Sequence, residues 1–121
     1  MHTTASDGRC TPRELVDRVA AAGITVMAVT DHDTTAAVVE VQSLAKARGI
    51  EAHAGIEITA VEDGRDIHML GYFLNPAEPR LIDFLRVQRE TRVKRVHVIA
   101  ARLAELGVPI DLQELLDEAQ R

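Results

Sequence analysis

The segment Ile24-Thr25-Val26-Met27-Ala28-Val29-Thr30-Asp31-His32-Asp33 joins a short, nearly continuous apolar run to a polar triplet. The run carries β-branched residues and is short for a helix, so it reads as a buried strand. Gly23, just before it, ends a helix opened by Thr11-Pro12-Arg13-Glu14, a capping box with proline at the first helical position. Leu15, Val16 and Val19 form the inward face of that helix. After the triplet, residues 35–48 read as a second helix, with Val38, Val41, Leu44 and Ala45 inward and Gly49 as terminator. Ile50 to Thr59 is a second strand region, interrupted by Gly55. Glu62-Asp63-Gly64-Arg65 is a turn, and Asp66 to Phe73 is a third strand. Strands alternating with helices imply parallel βαβ units and an α/β fold.

The pattern changes after Asn75-Pro76. A long helix is expected from about Glu78 to Leu106, with Leu81, Leu85, Val96, Ile99, Leu103 and Leu106 near one face. Gly107-Val108-Pro109 stops it, and Asp111 with Glu114 forms a second capping box for a last helix. The expected division is therefore an α/β part over residues 1–76 and a helical part over 77–121.

Composition bounds the function classes. Of 121 residues, 46% are hydrophobic and 27% charged, ordinary values for a folded domain. Lys+Arg is 14 against Asp+Glu 19, a net charge of -5, which gives no global nucleic-acid footprint. Aromatics are 2%, which argues against a base-stacking surface. The single cysteine, Cys10, excludes an internal disulfide framework and a multi-cysteine zinc cage. No apolar run approaches the roughly 18 residues of a membrane helix. The opening Met1-His2-Thr3-Thr4-Ala5-Ser6-Asp7 lacks the blocks of a secretory signal, so the expected location is the cytoplasm.

Metal-competent residues gather where strands should end: His2 and Asp7 in the first loop, Asp31-His32-Asp33, Glu57 after Gly55, and His68 in the third strand. In parallel α/β folds the C-terminal strand ends form the functional face. Imidazoles with carboxylates suit Zn, Mn or Fe, and a bridging carboxylate suits more than one ion. Such a site makes hydroxide near neutral pH and clamps phosphoryl oxygens. Taken singly, each residue has an ordinary structural use; Asp31, Asp33 or Thr34 could cap the second helix. Their joint placement is the signal. His53 fits a core or edge histidine, His97 a helix surface and Cys10 a free thiol. Arg86, Arg89, Arg92, Lys94 and Arg95 form a basic run on the long helix. It suits a solvated face, or a phosphate or RNA contact through arginine forks at Arg89 and Arg92.

Four segments together resemble the PHP (polymerase and histidinol phosphatase) domain family: His2-Thr3-Thr4-Ala5-Ser6-Asp7-Gly8, Ala28-Val29-Thr30-Asp31-His32-Asp33-Thr34, Gly55-Ile56-Glu57-Ile58 and Asp66-Ile67-His68-Met69-Leu70-Gly71-Tyr72. The resemblance implies a distorted (β/α)7 barrel holding two or three divalent metal ions, Mn, Zn or Fe, at its mouth and hydrolysing phosphoesters. The helical segment after Tyr72 resembles the insertion of the subgroup of nucleotide phosphatases and 5′-to-3′ exoribonucleases. That implies a nucleotide or other phosphomonoester, or short RNA, as substrate. His2 matches the second histidine of the family's opening His-x-His, and Asp7 and His32 match ligands of an outer metal. Glu57 matches the bridging carboxylate, and His68 the next histidine ligand. Asp31 and Asp33 flank a ligand and match residues that orient His32 or the loop.

This chain departs from the family pattern at both ends. Met1 stands in the middle of that His-x-His, and the chain stops within the helical insertion. The later ligands, a histidine after the insertion and a terminal Asp-x-His, are missing, and His97 matches neither. The chain therefore reads as the N-terminal portion of a PHP barrel with the start of its insertion. A fragment, a misassigned start and a degenerate remnant that needs a partner are the three explanations. Truncation is favoured because the retained ligand residues are all suitable. The alternative function is an inactive PHP-derived module that binds without turnover.

Overall fold

The computed structural model describes residues 1–118. The elements run α1 (Pro12–Ala21), β1 (Val26–Val29), α2 (Val38–Ala47), β2 (Glu51–Glu62), β3 (Arg65–Tyr72), α3 (Pro79–Glu105) and α4 (Leu112–Glu118). The expected run of the last helix beyond Glu118 lies outside the described residues. The chain forms two compact units, Met1–Leu85 and a second that begins at Arg86.

In the first unit the Thr11 box starts α1 as expected. Glu14 N donates to Thr11 Oγ1 at 3.3 Å, and Thr11 N donates to Glu14 Oε2 at 2.8 Å. The backbone and hydroxyl bonds from Thr11 hold the exposed Glu14 carboxyl below its ordinary range. Their contribution is present above that range and is lost as pH falls. At α2 none of the possible caps Asp31, Asp33 and Thr34 is used. Its N-cap is Ala37, with no side-chain cap bond. Thr34 Oγ1 instead accepts from Ala36 N at 3.2 Å, and Asp31 and Asp33 turn elsewhere.

The sheet has the order β1-β2-β3. β1 and β2 are parallel, as expected for a βαβ unit, with Val26 opposite Glu51 and Val29 opposite Ala54. β3 is antiparallel to β2, so the sheet is mixed and the expectation of parallel units holds for the first pair only. The reason is the turn. Asp63 and Gly64 both have positive φ, 49° and 74°. Two such residues reverse a strand into a hairpin, whereas a parallel crossover needs a dozen or more residues.

α1 and α2 cover one face of the sheet. Leu15, Val16, Val19, Val38, Val41 and Ala45 pack there against Met27, Val29, Ile50 and Ala54. The opposite face carries Glu57, because Ile56 next to it points into the core and strand side chains alternate. At Gly55 the strands come too close for a side chain. A Cβ there would lie 2.7 Å from Thr30 Cγ2 and 2.8 Å from the Val29 carbonyl oxygen.

The second unit holds the rest of α3, and α4. α4 opens on Asp111, whose Oδ1 accepts from Glu114 N at 3.0 Å. The expected apolar stripe of α3 contains no buried residue, and Ile99 and Leu106 are exposed. Arg86 pairs with Glu90, the one acid of the basic run, at 2.7 Å.

Candidate metal centre

Three backbone devices bring the polar segments together. The first is at Met1. Thr30 N donates to Met1 O at 2.8 Å, and the Met1 ammonium donates to Ala28 O at 3.3 Å. This is a parallel ladder along the outer edge of β1, and it delivers His2 to the C-terminal end of that strand. The second extends the β1–β2 pairing past Gly55. Glu57 N donates to Asp31 O, Asp33 N donates to Glu57 O, and His32 sits opposite Glu57 in parallel register. The third is the β2–β3 hairpin. His68 is paired with Thr59, hence on the same face as Glu57.

All five residues that the sequence marks as candidate ligands fall in this one cluster. Glu57 stands at its centre. His68 Nδ1 is 2.7 Å from Glu57 Oε1, His2 Nε2 is 3.1 Å from Glu57 Oε2, and His32 Nε2 is 3.9 Å from Glu57 Oε1. Asp7 closes the outer side, 3.3 Å from His2 Nδ1 and 3.6 Å from His32 Nε2. The rings of His2 and His32 stack with centroids 4.8 Å apart, and His68 meets His32 edge-on at 4.9 Å. The Glu57 side chain is 13% exposed and that of His32 17%, against 49% for His68 and 69% for Asp7. The cluster thus has a sheltered floor and an open rim.

The donor set fits a divalent cation. His2, His32 and Glu57 each offer one ligand atom, all within 4.8 Å of one another. His2 Nδ1 is buried with no hydrogen-bond partner; Asp7 Oδ1 lies 3.3 Å away but outside hydrogen-bond geometry. A buried imidazole nitrogen without a partner is costly unless something else meets it. Converging imidazoles and carboxylates are borderline ligands suited to Zn, Mn or Fe.

The other candidates fall elsewhere. Asp31 and Asp33 bond to the first loop and to β2. His53 lies 3.3 Å from Glu51 and packs edge-on against Phe73 at 4.7 Å. Cys10 is a free thiol packed at the edge of the core. His97, Arg89 and Arg92 belong to the second unit and are exposed. Sequence reasoning passed over Thr3, which is fully buried, and Gly8, which touches the His2–Thr3 peptide. Both looked like ordinary loop residues, and only the folded loop reveals their contacts.

Comparison with known proteins sets this site in context. The chain is 41% identical over 108 residues to a 5′-3′ exoribonuclease of Haemophilus influenzae, a match that spans 89% of the chain and 39% of the relative. It is 36% identical over 107 residues to a 3′,5′-nucleoside bisphosphate phosphatase of Chromobacterium violaceum, spanning 88% of the chain and 38% of the relative. It superimposes on a structure described as a metal-dependent phosphoesterase from Bifidobacterium adolescentis with a TM-score of 0.84 at 32% identity, over 99% of this chain and 42% of that one. The chain thus spans about two fifths of the length of the curated relatives it matches. The PHP domain family matches residues 1–111, and the chain belongs to that family.

Proposed function

We propose that this chain carries the N-terminal half-site of a metal-dependent phosphoesterase that hydrolyses nucleotide or short oligonucleotide phosphates. The observation that carries the reading is the convergence of His2, His32 and His68 on Glu57 at the C-terminal end of β1, with Asp7 beside His2 and His32. His2, Asp7, His32 and His68 serve as ligands and Glu57 as a bridging carboxylate. The substrate class rests on the exoribonuclease and the bisphosphate phosphatase among the relatives. The Met1 ladder on the outer edge of β1 and the uncovered sheet face beside Tyr72 and Phe73 support a partial (β/α)7 barrel.

A bound divalent cation supplies Lewis acidity toward phosphoryl oxygens and acidifies a water near neutral pH. The chain's own residues set the conditions for that chemistry. Asp7 and Glu57 provide the negative charge that holds the cation. The Glu57 carboxylate orients the ring of His68 through their 2.7 Å contact. Glu57 and His32 form the sheltered floor, and Asp7 and His68 the exposed rim from which a substrate phosphate enters.

The reading is tested by elemental analysis of the purified chain after expression with manganese and with zinc. At least one tightly held ion per chain is expected. A chain that holds none overturns the half-site, and the chain is then a fragment or an inactive remnant; metal held without turnover favours the inactive module.

In the second unit, Arg89 and Arg92 suit a phosphate or RNA backbone, since a guanidinium fork matches phosphate oxygens. In a complete, active form of the protein, Arg89→Gln with Arg92→Gln is expected to raise KM for a nucleotide substrate. The turnover number should hardly change. An unchanged KM sinks the assignment.

A further inference from the structure

We propose that Asp31 and Asp33 are positioning residues with separate duties: Asp31 fixes the arm that carries His2 and Asp7, and Asp33 fixes Glu57. The proposal rests on the metal reading above and adds how the ligands are held.

Asp31 is 2% exposed and meets three donors, all from the first loop. Its Oδ1 accepts from Thr3 N at 2.6 Å and Ser6 Oγ at 2.7 Å, and its Oδ2 accepts from Thr3 Oγ1 at 2.8 Å. An ionised carboxylate only accepts, so three donors suit it. Thr3 is fully buried, and its Oγ1 also accepts from Ala5 N at 3.1 Å. The residues so anchored lie between His2 and Asp7, and the anchor sets the position of both.

Asp33 faces the other way. It takes a left-handed backbone, φ 50°, which costs a non-glycine residue roughly 1–2 kcal/mol. That conformation lets its N donate to Glu57 O at 2.9 Å while its Oδ1 accepts from Thr59 N at 3.2 Å. The carbonyl of Glu57 and the amide two residues on are thus held by one side chain and its own backbone. Asp31-His32-Asp33 is therefore a hub. Its central residue is a candidate ligand, and each flank ties down a different neighbouring ligand segment.

The test is a cobalt titration of the purified chain, followed by visible absorption, in a double-mutant cycle. Asp31→Ala and Asp33→Ala should each weaken cobalt binding about 10–100-fold, the usual loss for an outer-shell partner. Asp31→Ala added to a chain with both His2→Ala and Asp7→Ala should bring little further loss, because the arm then carries no ligand. Asp33→Ala added to His2→Ala should multiply the two losses. Asp31→Asn keeps an oxygen for Thr3 N and Ser6 Oγ, and most of the affinity should return. If Asp31→Ala does not fold, Thr3→Val takes its place in the cycle, since it removes the hydroxyl's bonds to Asp31 and from Ala5 but leaves the Thr3 N and Ser6 Oγ bonds to Asp31. A full multiplicative loss when Asp31→Ala is added to His2→Ala with Asp7→Ala, or wild-type affinity in Asp31→Ala, overturns the division alone. A wild-type chain that takes up no cobalt overturns the metal reading and the division with it.

Discussion

Glu57→Gln is expected to abolish tight metal binding while the chain stays folded. Glu57 lies within 4 Å of three imidazoles, those of His2, His32 and His68. The amide that replaces it keeps the shape but removes the negative charge, and it points an N–H₂ toward at least one ring or ion. The loss should exceed the roughly 10–100-fold typical of an outer-shell partner, because a ligand itself is removed. The fold should survive because the core is on the other face of the sheet. Ile56 and Ala54 lie on the face opposite Glu57; both are buried, and Ala54 belongs to the core shared with α1 and α2. The check pairs metal analysis with a melting curve of the metal-free protein. A variant that binds metal as tightly as the parent would remove Glu57 from its central role. One that melts far below the parent would show that the side chain serves the fold.

Much of this arrangement was legible in the residue order, and the physical reasons are specific. α1 could be read from Thr11-Pro12-Arg13-Glu14 because a capping box is a local device that needs no tertiary partner. The core positions of α2 followed from a helical period, and Val38, Val41 and Ala45 are buried as that period requires. The candidate site was legible because strand-end residues of several segments shared one chemistry. The direction of β3 was not drawn from the sequence, although Asp63-Gly64 carried the hairpin signal; the alternation of strands and helices outweighed it. Asp31 and Asp33 were legible as partners of a ligand, but not in what they hold. Their bonds cross 25 to 28 residues of chain, to Ser6, Thr3 and Thr59, and no local pattern encodes such pairings. The alternative use of these aspartates, as caps of α2, is not taken up for a related reason. Both aspartates prefer the loop and β2 donors, which leaves Ala37 to start the helix without a side-chain bond.

Gly8→Ala should separate the first loop from the rest of the site. A Cβ at residue 8 would lie 2.4 Å from His2 C, 2.5 Å from His2 O and 2.6 Å from Thr3 N. These are backbone atoms, so no rotamer change relieves the clash and one side of the loop must move. The His2–Thr3 side is the firmer. Met1 is laddered to β1, and Thr3 donates two bonds to Asp31. Hydrogen bonds to a charged group contribute about 1.5–3 kcal/mol each. The Gly8 side is held by its own N–H to Thr3 O at 3.0 Å, a neutral bond of roughly 0.5–1.5 kcal/mol. Residue 8 therefore yields and carries Asp7 away from His2 and His32. The expected phenotype is that of Asp7→Ala: cobalt affinity falls by more than the roughly 10–100-fold of a lost supporting contact, because a ligand leaves the site. The melting temperature of the metal-free chain should change little, because α1, α2 and the sheet are untouched. Combining Gly8→Ala with Asp7→Ala should give no loss beyond the worse of the two, since both remove one carboxylate. Wild-type affinity in Gly8→Ala would mean that the loop relaxes without moving Asp7. A loss much deeper than that of Asp7→Ala would mean that His2 moves as well, and that the Asp31 anchor is the weaker side of the loop.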